Sequence, residues 1–344
     1  MRYGTMIAAA ALLAAGAGSA AAQQVNQTRA ASATGDVEIQ ALGGRLRVIG
    51  WSRNQVQVTG TLGSPDERLV IDADDDGTLV VRVEVPGQHV RVRARDGKIR
   101  EDRGMQGGGD ADLEVRVPAR SQLEVHSNNA NTEVQGIDGS VEARSVSGSV
   151  RVWGGRAREV TATSRSGLVE VTADAERVEA ASVSGSVRVA GTVRDRVEAT
   201  SVSGEVNVTA AAGEVEAGSV SGSVTVASMR GRAEVHSVSG EVRVTGRALS
   251  GEFQSVSGSI TLNGDLARDA DLELTTHSGS VTLMLAPGAS VDIQANTFSG
   301  DISSDYRGAR VTRESRREAR IVVGDGDARV AVHTFSGSVK LTGR

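Results

Sequence analysis

One short acidic run has the residue types and spacing of half a calcium-binding loop. It reads D72-A-D-D-D-G77 and offers Asp72, Asp74 and Asp76 as oxygen ligands. The twelfth position of such a loop needs a glutamate that binds with both oxygens, but Val83 stands there. Apolar runs typical of strands flank the loop, whereas this calcium loop needs helices. We predict a solvated hairpin turn, with calcium binding by the three aspartates as the alternative.

The histidines and cysteines do not predict a metal centre. The chain has no cysteine. Its five histidines are His89, His126, His236, His277 and His333. His126, His236 and His333 share one position of a repeat described below, but many residues separate them, whereas zinc needs ligands that converge on one point. We predict surface histidines and no bound metal or cofactor.

Catalytic patterns are also missing from the sequence. Serines are abundant, but no G-x-S-x-G motif or Ser/His/Asp grouping stands out. Enzymes that cleave polysaccharides on a β-helix need clustered acids or bases on one face, and they use aromatic platforms for sugars. Trp51 and Trp153 are the only tryptophans. We predict a protein that is not an enzyme, with a carbohydrate-binding or polysaccharide-cleaving β-helix as the alternative.

Charge patterning argues against a nucleic-acid partner. The formal net charge is −5, and acidic residues alternate with the basic ones. No basic patch of the kind that contacts phosphates is present. We therefore predict that the chain does not bind nucleic acid.

A tandem repeat accounts for most of these serines. Its clearest copies are S145-V-S-G-S-V-R-V152, S182-V-S-G-S-V-R-V189, S201-V-S-G-E-V-N-V208, S219-V-S-G-S-V-T-V226 and S237-V-S-G-E-V-R-V244. The turn glycines recur every 18 or 19 residues up to Gly258, then after 21, 21 and 37 residues. A fixed period of this size is typical of stacked repeats. We predict an all-β, single-stack, right-handed β-solenoid of about 18–19 residues per rung, with an N-terminal β region that is less regular.

Positions counted from each turn glycine predict the core. Val or Leu stands mostly at −7 and Ala or a larger apolar residue at −5, while Val, Ile or Leu stands at +2 and +4. These inward positions alternate with Glu, Arg and Thr, which we expect to face water. Every copy has Ser or Thr at −3, which predicts a ladder of hydroxyls that cap the turn amides.

Position −2 is the candidate interaction surface. Strict alternation would point it outward and create an apolar stripe, which is typical of an interaction site. The alternative is that the turn rotates this side chain inward to fill the corner of the core. The candidate stripe consists of Val146, Val183, Val202, Val220, Val238, Val256, Phe298 and Phe335, with Arg165 and His277 in the same column.

Three segments are predicted along the chain. Residues 1–22 have the positive start, apolar centre and small-residue cleavage site of a signal peptide, so we expect an exported protein, periplasmic, surface-associated or extracellular. Residues 23–121 are predicted to form irregular strands or a cap continuous with the solenoid, including a mobile loop over 94–111. Residues 122–344 form the repeat array with a C-terminal cap. No later segment predicts a membrane span.

The order of these motifs resembles a known family. The array opens with Pro118, then four residues, then Leu123-Glu124-Val125, and continues through T-x-S-G-x-V/I turns. It ends on G-x-G-x-A-x-V-x-V-x-T-F-S-G-S-V. Over approximately residues 35–344 the chain resembles the bacterial putative-adhesin family of β-strand-repeat domains of unknown function. The resemblance implies an exported right-handed β-solenoid with an adhesion or envelope role, and it supplies no catalytic residues.

We therefore predict a non-catalytic structural or adhesive module of the cell envelope. A surface glycan or an envelope protein is the expected partner, and self-association is a further possibility. An envelope scaffold that polymerises through exposed end rungs remains open as another alternative. Acids clustered on one face would favour an enzyme, an exposed valine stripe would favour adhesion, and uncovered ends would favour assembly.

Overall fold

Alternating apolar and polar residues form strands throughout the computed structural model, which describes residues 23–74, 76–84 and 110–343. All of the regular secondary structure in these ranges is β-strand, so the all-β prediction is confirmed. No helix in the described part of the chain could cross a membrane. The predicted signal peptide, His89 and nearly all of the predicted loop over 94–111 lie outside the described residues.

Seven strands precede the repeats. They are β1 (Gln24–Ala30), β2 (Asp36–Ala41), β3 (Gly44–Trp51), β4 (Gln55–Thr61), β5 (Arg68–Ala73), β6 (Leu79–Glu84) and β7 (Ala111–Pro118).

Fifteen strands carry the regular rungs, each rung being one repeat named by its turn glycine. They are β8 (Gln122–Ser127), β9 (Asn131–Gln135), β10 (Val141–Ser145), β11 (Val150–Ser164), β12 (Val169–Ser182), β13 (Val187–Ser201), β14 (Val206–Ala211), β15 (Glu214–Ser219), β16 (Val224–Ser237), β17 (Val242–Ser255), β18 (Ile260–Leu266), β19 (Asp271–Thr276), β20 (Val281–Leu285), β21 (Val291–Thr297) and β22 (Ile302–Ser304). Four more complete the chain, namely β23 (Arg310–Arg313), β24 (Glu318–Val323), β25 (Ala328–Thr334) and β26 (Val339–Gly343).

The rungs stack in two parallel ladders. In the first ladder, formed by segments that precede the turns, Val160 lies opposite Val178, which lies opposite Val197. In the second ladder, formed by segments that follow the turns, Val169 lies opposite Val187. Long strands such as β11 and β12 run from the second ladder around the return corner into the first ladder of the next rung. This arrangement is β-solenoid-like, as the period predicted.

The predicted inward columns form one continuous core between the ladders. In the rung of Gly204 the four columns contribute Val197, Ala199, Val206 and Val208, each fully buried. The same columns are buried along the array, with only a few substitutions such as Phe253 at −5. The prediction that +2, +4, −5 and −7 face inward is confirmed.

The order of the rungs in space departs from their order in the chain at both ends. At the C-terminal end, β25 pairs with both β19 and β21, and β26 pairs with both β20 and β22. At the other end, β2 pairs with both β6 and β8, and β3 pairs with both β7 and β9. The rung of β2 and β3 and the rung of β25 and β26 therefore each lie one layer inside the end of the stack, between two other rungs.

Antiparallel strands cover both ends of the stack. At the N-terminal end β4 pairs with β7, β1 pairs with β4, and β5 pairs with β6. At the C-terminal end β24 pairs with β21, and β23 pairs with β24. The 37-residue step in the repeat is thus an excursion that covers the end of the first ladder, after which the chain returns to the interior of the stack.

Candidate functional site

The serine or threonine at −3 holds each turn in place. In the rung of Gly204, the amide of Gly204 donates to Ser201 Oγ at 2.9 Å. The same hydroxyl donates to the carbonyl of Gly185, the preceding turn glycine, at 3.0 Å. Equivalent pairs recur at Ser182, Ser219, Ser237 and Ser255. The predicted hydroxyl ladder is confirmed, and it also links neighbouring rungs.

The turn glycines allow neighbouring turns to approach closely. A Cβ on Gly204 would lie 2.1 Å from the carbonyl oxygen of Gly185. Above this contact, the amide of Val202 donates to the carbonyl of Ser182, and that of Ser203 donates to the carbonyl of Val183. Because the backbones of adjacent turns are bonded in this way, the side chains at −2 and −1 project away from the core.

The column at −2 therefore faces solvent. Val183, Val202, Val220, Val238 and Val256 are between 44% and 48% exposed. The alternative in which the turn rotates this side chain into the core is wrong, because the corner is already filled by the −3 hydroxyl and the close-packed glycines. We call this column the outer stripe and define it as Val146, Arg165, Val183, Val202, Val220, Val238, Val256, His277, Phe335 and Phe298, in spatial order. Val146 is half-buried, and the other members are exposed.

One end of the outer stripe is an aromatic stack. The rings of His277 and Phe335 are 4.8 Å apart and inclined by 9°. The rings of Phe335 and Phe298 are also 4.8 Å apart, inclined by 4°. The guanidinium carbon of Arg317 lies over the ring of Phe298, 4.8 Å from its centre. Both faces of Phe335 are thus covered, and these rings present their edges rather than a platform on which a sugar could stack.

A column of glutamates lies on the solvent face of the first ladder, at position −6. Glu179, Glu198, Glu216, Glu234, Glu252 and Glu273 occupy six consecutive rungs in register. Arg196 bonds to Glu216, and Arg232 lies 2.7 Å from Glu234. Partial burial, reinforced by the charge of Glu198, raises the pKa of Glu179. Sequence analysis missed this column although the recurring glutamate at −6 is a sufficient signal.

The acidic run forms the predicted hairpin turn. Strands β5 and β6 pair antiparallel around it. Asp72 lies 3.1 Å from the guanidinium of Arg82, and Asp76 Oδ1 accepts the amide of Thr78 at 3.2 Å. The amide of Gly77 donates to the carbonyl of Asp74 at 3.0 Å. The side chains of Asp72 and Asp76 therefore bond to partners within the hairpin.

The described histidines lie apart from one another along the stack. His236 and His333 are exposed, as predicted. His126 is instead half-buried, with Nε2 at 2.6 Å from Glu124 Oε1. Within residues 23–74, 76–84 and 110–343 no three His, Asp or Glu side chains are grouped so that they could hold a metal ion.

Glu67 is a buried carboxylate that sequence analysis did not single out. It accepts the amides of Gly63 and Ser64 at 2.8 Å and 3.3 Å. Its side chain therefore fixes the loop before β5, which is a structural role.

Comparisons with known proteins give a family and distant structural neighbours. The family model described as Toastrack DUF4097 matches residues 30–342. None of the curated proteins matches the chain. The crystal structure of a putative cell adhesion protein from Clostridium sporogenes covers 94% of this chain and 100% of its own, with 7% identity and a TM-score of 0.22. The crystal structure of a putative adhesin from Bacteroides fragilis covers 94% of this chain and 98% of its own, with 11% identity and a TM-score of 0.35. Likenesses this small carry no argument about what this chain binds.

Proposed function

The chain belongs to the Toastrack DUF4097 family, and from that premise we propose that it is an exported, non-catalytic adhesion or cell-envelope module that binds through the outer stripe. The proposal rests on the column of large apolar side chains that the turns present to solvent. Five of its valines and both of its phenylalanines are each close to half exposed. Soluble monomers seldom expose contiguous apolar surface of this kind unless it contacts something. An envelope protein with an apolar surface is the partner that suits it best.

The energetic argument rests on how much of each side chain is still in water. Full burial of a valine or phenylalanine contributes about 1.5–3 kcal/mol. Covering the remaining half therefore contributes roughly 0.7–1.5 kcal/mol for each half-exposed valine or phenylalanine of the stripe. Several such contacts in a row can offset the entropy lost on association.

We infer further that the rungs form one right-handed stack. The registers that run from β2 through β8, β10, β11, β12, β13 and β15 support a single stack. Connections between parallel strands of one sheet are right-handed in almost every protein, which supports the handedness.

Export is proposed from the signal-like sequence of residues 1–22. Sequencing the amino terminus of the protein recovered from the periplasm or medium tests it. A mature chain that starts at Gln23 supports export, and an intact Met1 in the cytoplasmic fraction contradicts it.

Attachment tests the role of the outer stripe. A host strain without the chain is complemented with wild type or with Val202→Thr and Val220→Thr together, and attachment and envelope integrity are measured. We expect the double variant to lose attachment while its melting temperature stays unchanged. The matched control is Val311→Thr, since Val311 is equally exposed at 44% but lies outside the stripe. Lost stability with normal attachment would contradict the proposal.

The glutamate column favours a second candidate, a polysaccharide-cleaving β-helix. Glu179 and Glu198 are opposite one another on adjacent rungs, and the raised pKa of Glu179 suits a general acid. Against it, the column lies on an open sheet face, and the aromatic rings of the outer stripe offer no sugar platform. Release of reducing ends from envelope glycans that is abolished by Glu179→Gln and by Glu198→Gln would establish this candidate, and no release by wild type would reject it.

Polymerisation through the C-terminal end is less well supported. The outer strand β23 is only four residues long, carries Arg310 and Arg313, and is exposed throughout. Short, charged edge strands discourage edge-to-edge pairing.

A further inference from the structure

We propose that the outer stripe binds a second copy of this chain, with the two stripes antiparallel about a two-fold axis. This inference rests on the proposed function, because it names the occupant of the same surface. The central part of the stripe is self-complementary, since it repeats valine on five consecutive rungs from Val183 to Val256. A two-fold contact requires such a surface, because the same patch must serve both partners.

Electrostatics selects the antiparallel arrangement. If the two stripes ran parallel, Arg165 would face Arg165 of the second copy, and two like charges would meet. In the antiparallel arrangement with all ten rungs overlapping, Arg165 faces Phe335 of the second copy. Asp301 of that copy lies one rung away from Phe335. Val220 then faces Val238, and Val202 faces Val256. No like charges oppose one another along the stripe.

The flanking columns fit the same arrangement. Beside the stripe, position −4 of the four central rungs is occupied by Thr200, Gly218, His236 and Gln254, none of which is acidic or an arginine or lysine. On the other flank, at +1, Glu205 would face Ser259, and Glu241 would face Ser223 of the second copy. No arginine or carboxylate at these flanking positions meets a like charge, and the centre of a protein interface is typically depleted of charged residues.

The size of the surface predicts a weak, reversible dimer. Ten rungs at about 4.8 Å give a length of about 43 Å, and the width from −4 to +1 is about 15 Å. The resulting area of roughly 650 Å² is slightly below the about 800 Å² that each partner buries in a standard interface. Concentration-dependent dimerisation is therefore expected rather than a permanent dimer.

Sedimentation velocity of the purified protein over a range of concentrations is the first test. We expect a monomer–dimer equilibrium whose dissociation constant rises at least about tenfold in the Val202→Thr, Val220→Thr variant. Val311→Thr should leave it unchanged. A protein that is monomeric at every concentration overturns the proposal. The attachment assay described above is independent of this result. A stripe that binds another partner but not a second copy is therefore distinguishable from a stripe that binds nothing.

Cysteine cross-linking tests the arrangement, since the native chain has no cysteine. In the antiparallel dimer residue 220 of one copy faces residue 238 of the other, so mixing Val220→Cys with Val238→Cys should form disulfide-linked dimers. The two copies of residue 202 are about three rungs, or about 14 Å, apart, so Val202→Cys alone should not. Mixing Val202→Cys with Val256→Cys should restore cross-linking. Efficient self-cross-linking of Val202→Cys alone overturns the antiparallel arrangement.

Discussion

The hydroxyl of Ser201 accepts one hydrogen bond from its own turn and donates another to the preceding turn. Glycine at the turn has a matching role. None of the turn glycines from Gly148 to Gly258 has a positive φ, so conformational freedom is not the reason for them. Instead, the carbonyl of the preceding turn occupies the place where a Cβ would be. At the scale of single residues, Ser and Gly are selected by contacts between rungs.

The first prediction concerns this hydroxyl. Ser201→Ala should lower the free energy of unfolding by about 1–3 kcal/mol, because it removes the partner of a buried amide and of a half-buried carbonyl. Urea unfolding followed by circular dichroism measures the change. Ser201→Thr should be tolerated, since Thr276, Thr297 and Thr334 hold this position in other rungs. Ser203→Ala, at an exposed position of the same turn, is the control; equal loss in both variants would contradict the ladder's role.

A second prediction follows from the raised pKa of Glu179. Between the ordinary pKa of a glutamate and this raised value, the folded state binds more protons than the unfolded state, so stability falls as pH rises through that window. Glu179→Gln should therefore raise the melting temperature at neutral pH. The advantage should vanish at about pH 3.5, where the carboxyl is protonated in both states. Glu205→Gln, at an exposed site outside the column, is the control, and a pH-independent gain would contradict the explanation.

At the scale of elements, the antiparallel strand β24 depends on a side-chain clamp. Arg320 of β24 bonds through two nitrogens to the half-buried carboxylate of Asp292 on β21, at 2.9 Å and 2.6 Å. The hydrogen bond from Arg320 lowers the pKa of Asp292. The cover at this end is thus joined to the stack by charge-assisted bonds in addition to its backbone ladder.

Asp292→Asn should therefore loosen this cover. A lowered folded-state pKa gives stability that is present above the ordinary pKa of aspartate and lost as pH falls through the lowered value. We expect faster amide hydrogen exchange in β24 at neutral pH, with the difference from wild type disappearing in acid. Asp195→Asn, which removes an exposed pair with Arg177, should leave exchange unchanged. Unaltered exchange in β24 would show that the backbone ladder alone holds the cover.

The sequence predicts the elements well because each column repeats one kind of side chain. The alternation that places Val206 and Val208 inside also places Val202 outside. The aromatic stack is only partly predictable: His277, Phe298 and Phe335 share a column, but their contact order depends on which rungs are neighbours. The neighbours of the last rung cannot be predicted from its own sequence, because it has the same apolar columns as the other rungs.

At the scale of the whole molecule, rungs inside the array are interchangeable and the inserted end rung is not. Deleting residues 204–221, one 18-residue period, joins equivalent positions and should give a shorter, cooperatively folding stack. Truncation after Asp327 removes β25 and β26 from between two rungs and leaves each of those rungs unpaired on the side that faced them. We expect that variant to lose cooperative thermal unfolding and to aggregate. Circular dichroism and size-exclusion chromatography measure both, and a monomeric, cooperative truncation would contradict this difference.

The inserted rung also sets an order of events in time. A bond such as that from Thr334 to Gly279 spans 55 residues of chain, whereas the bond from Ser219 to Gly204 spans 15. Closing a longer loop costs more entropy before the contact forms, and non-local pairing slows folding. A chain synthesised from its amino end therefore cannot finish its stack until β25 and β26 have emerged. The penultimate layer at this end of the rod is therefore the last to be filled, so the stack closes from within rather than at its outermost layer.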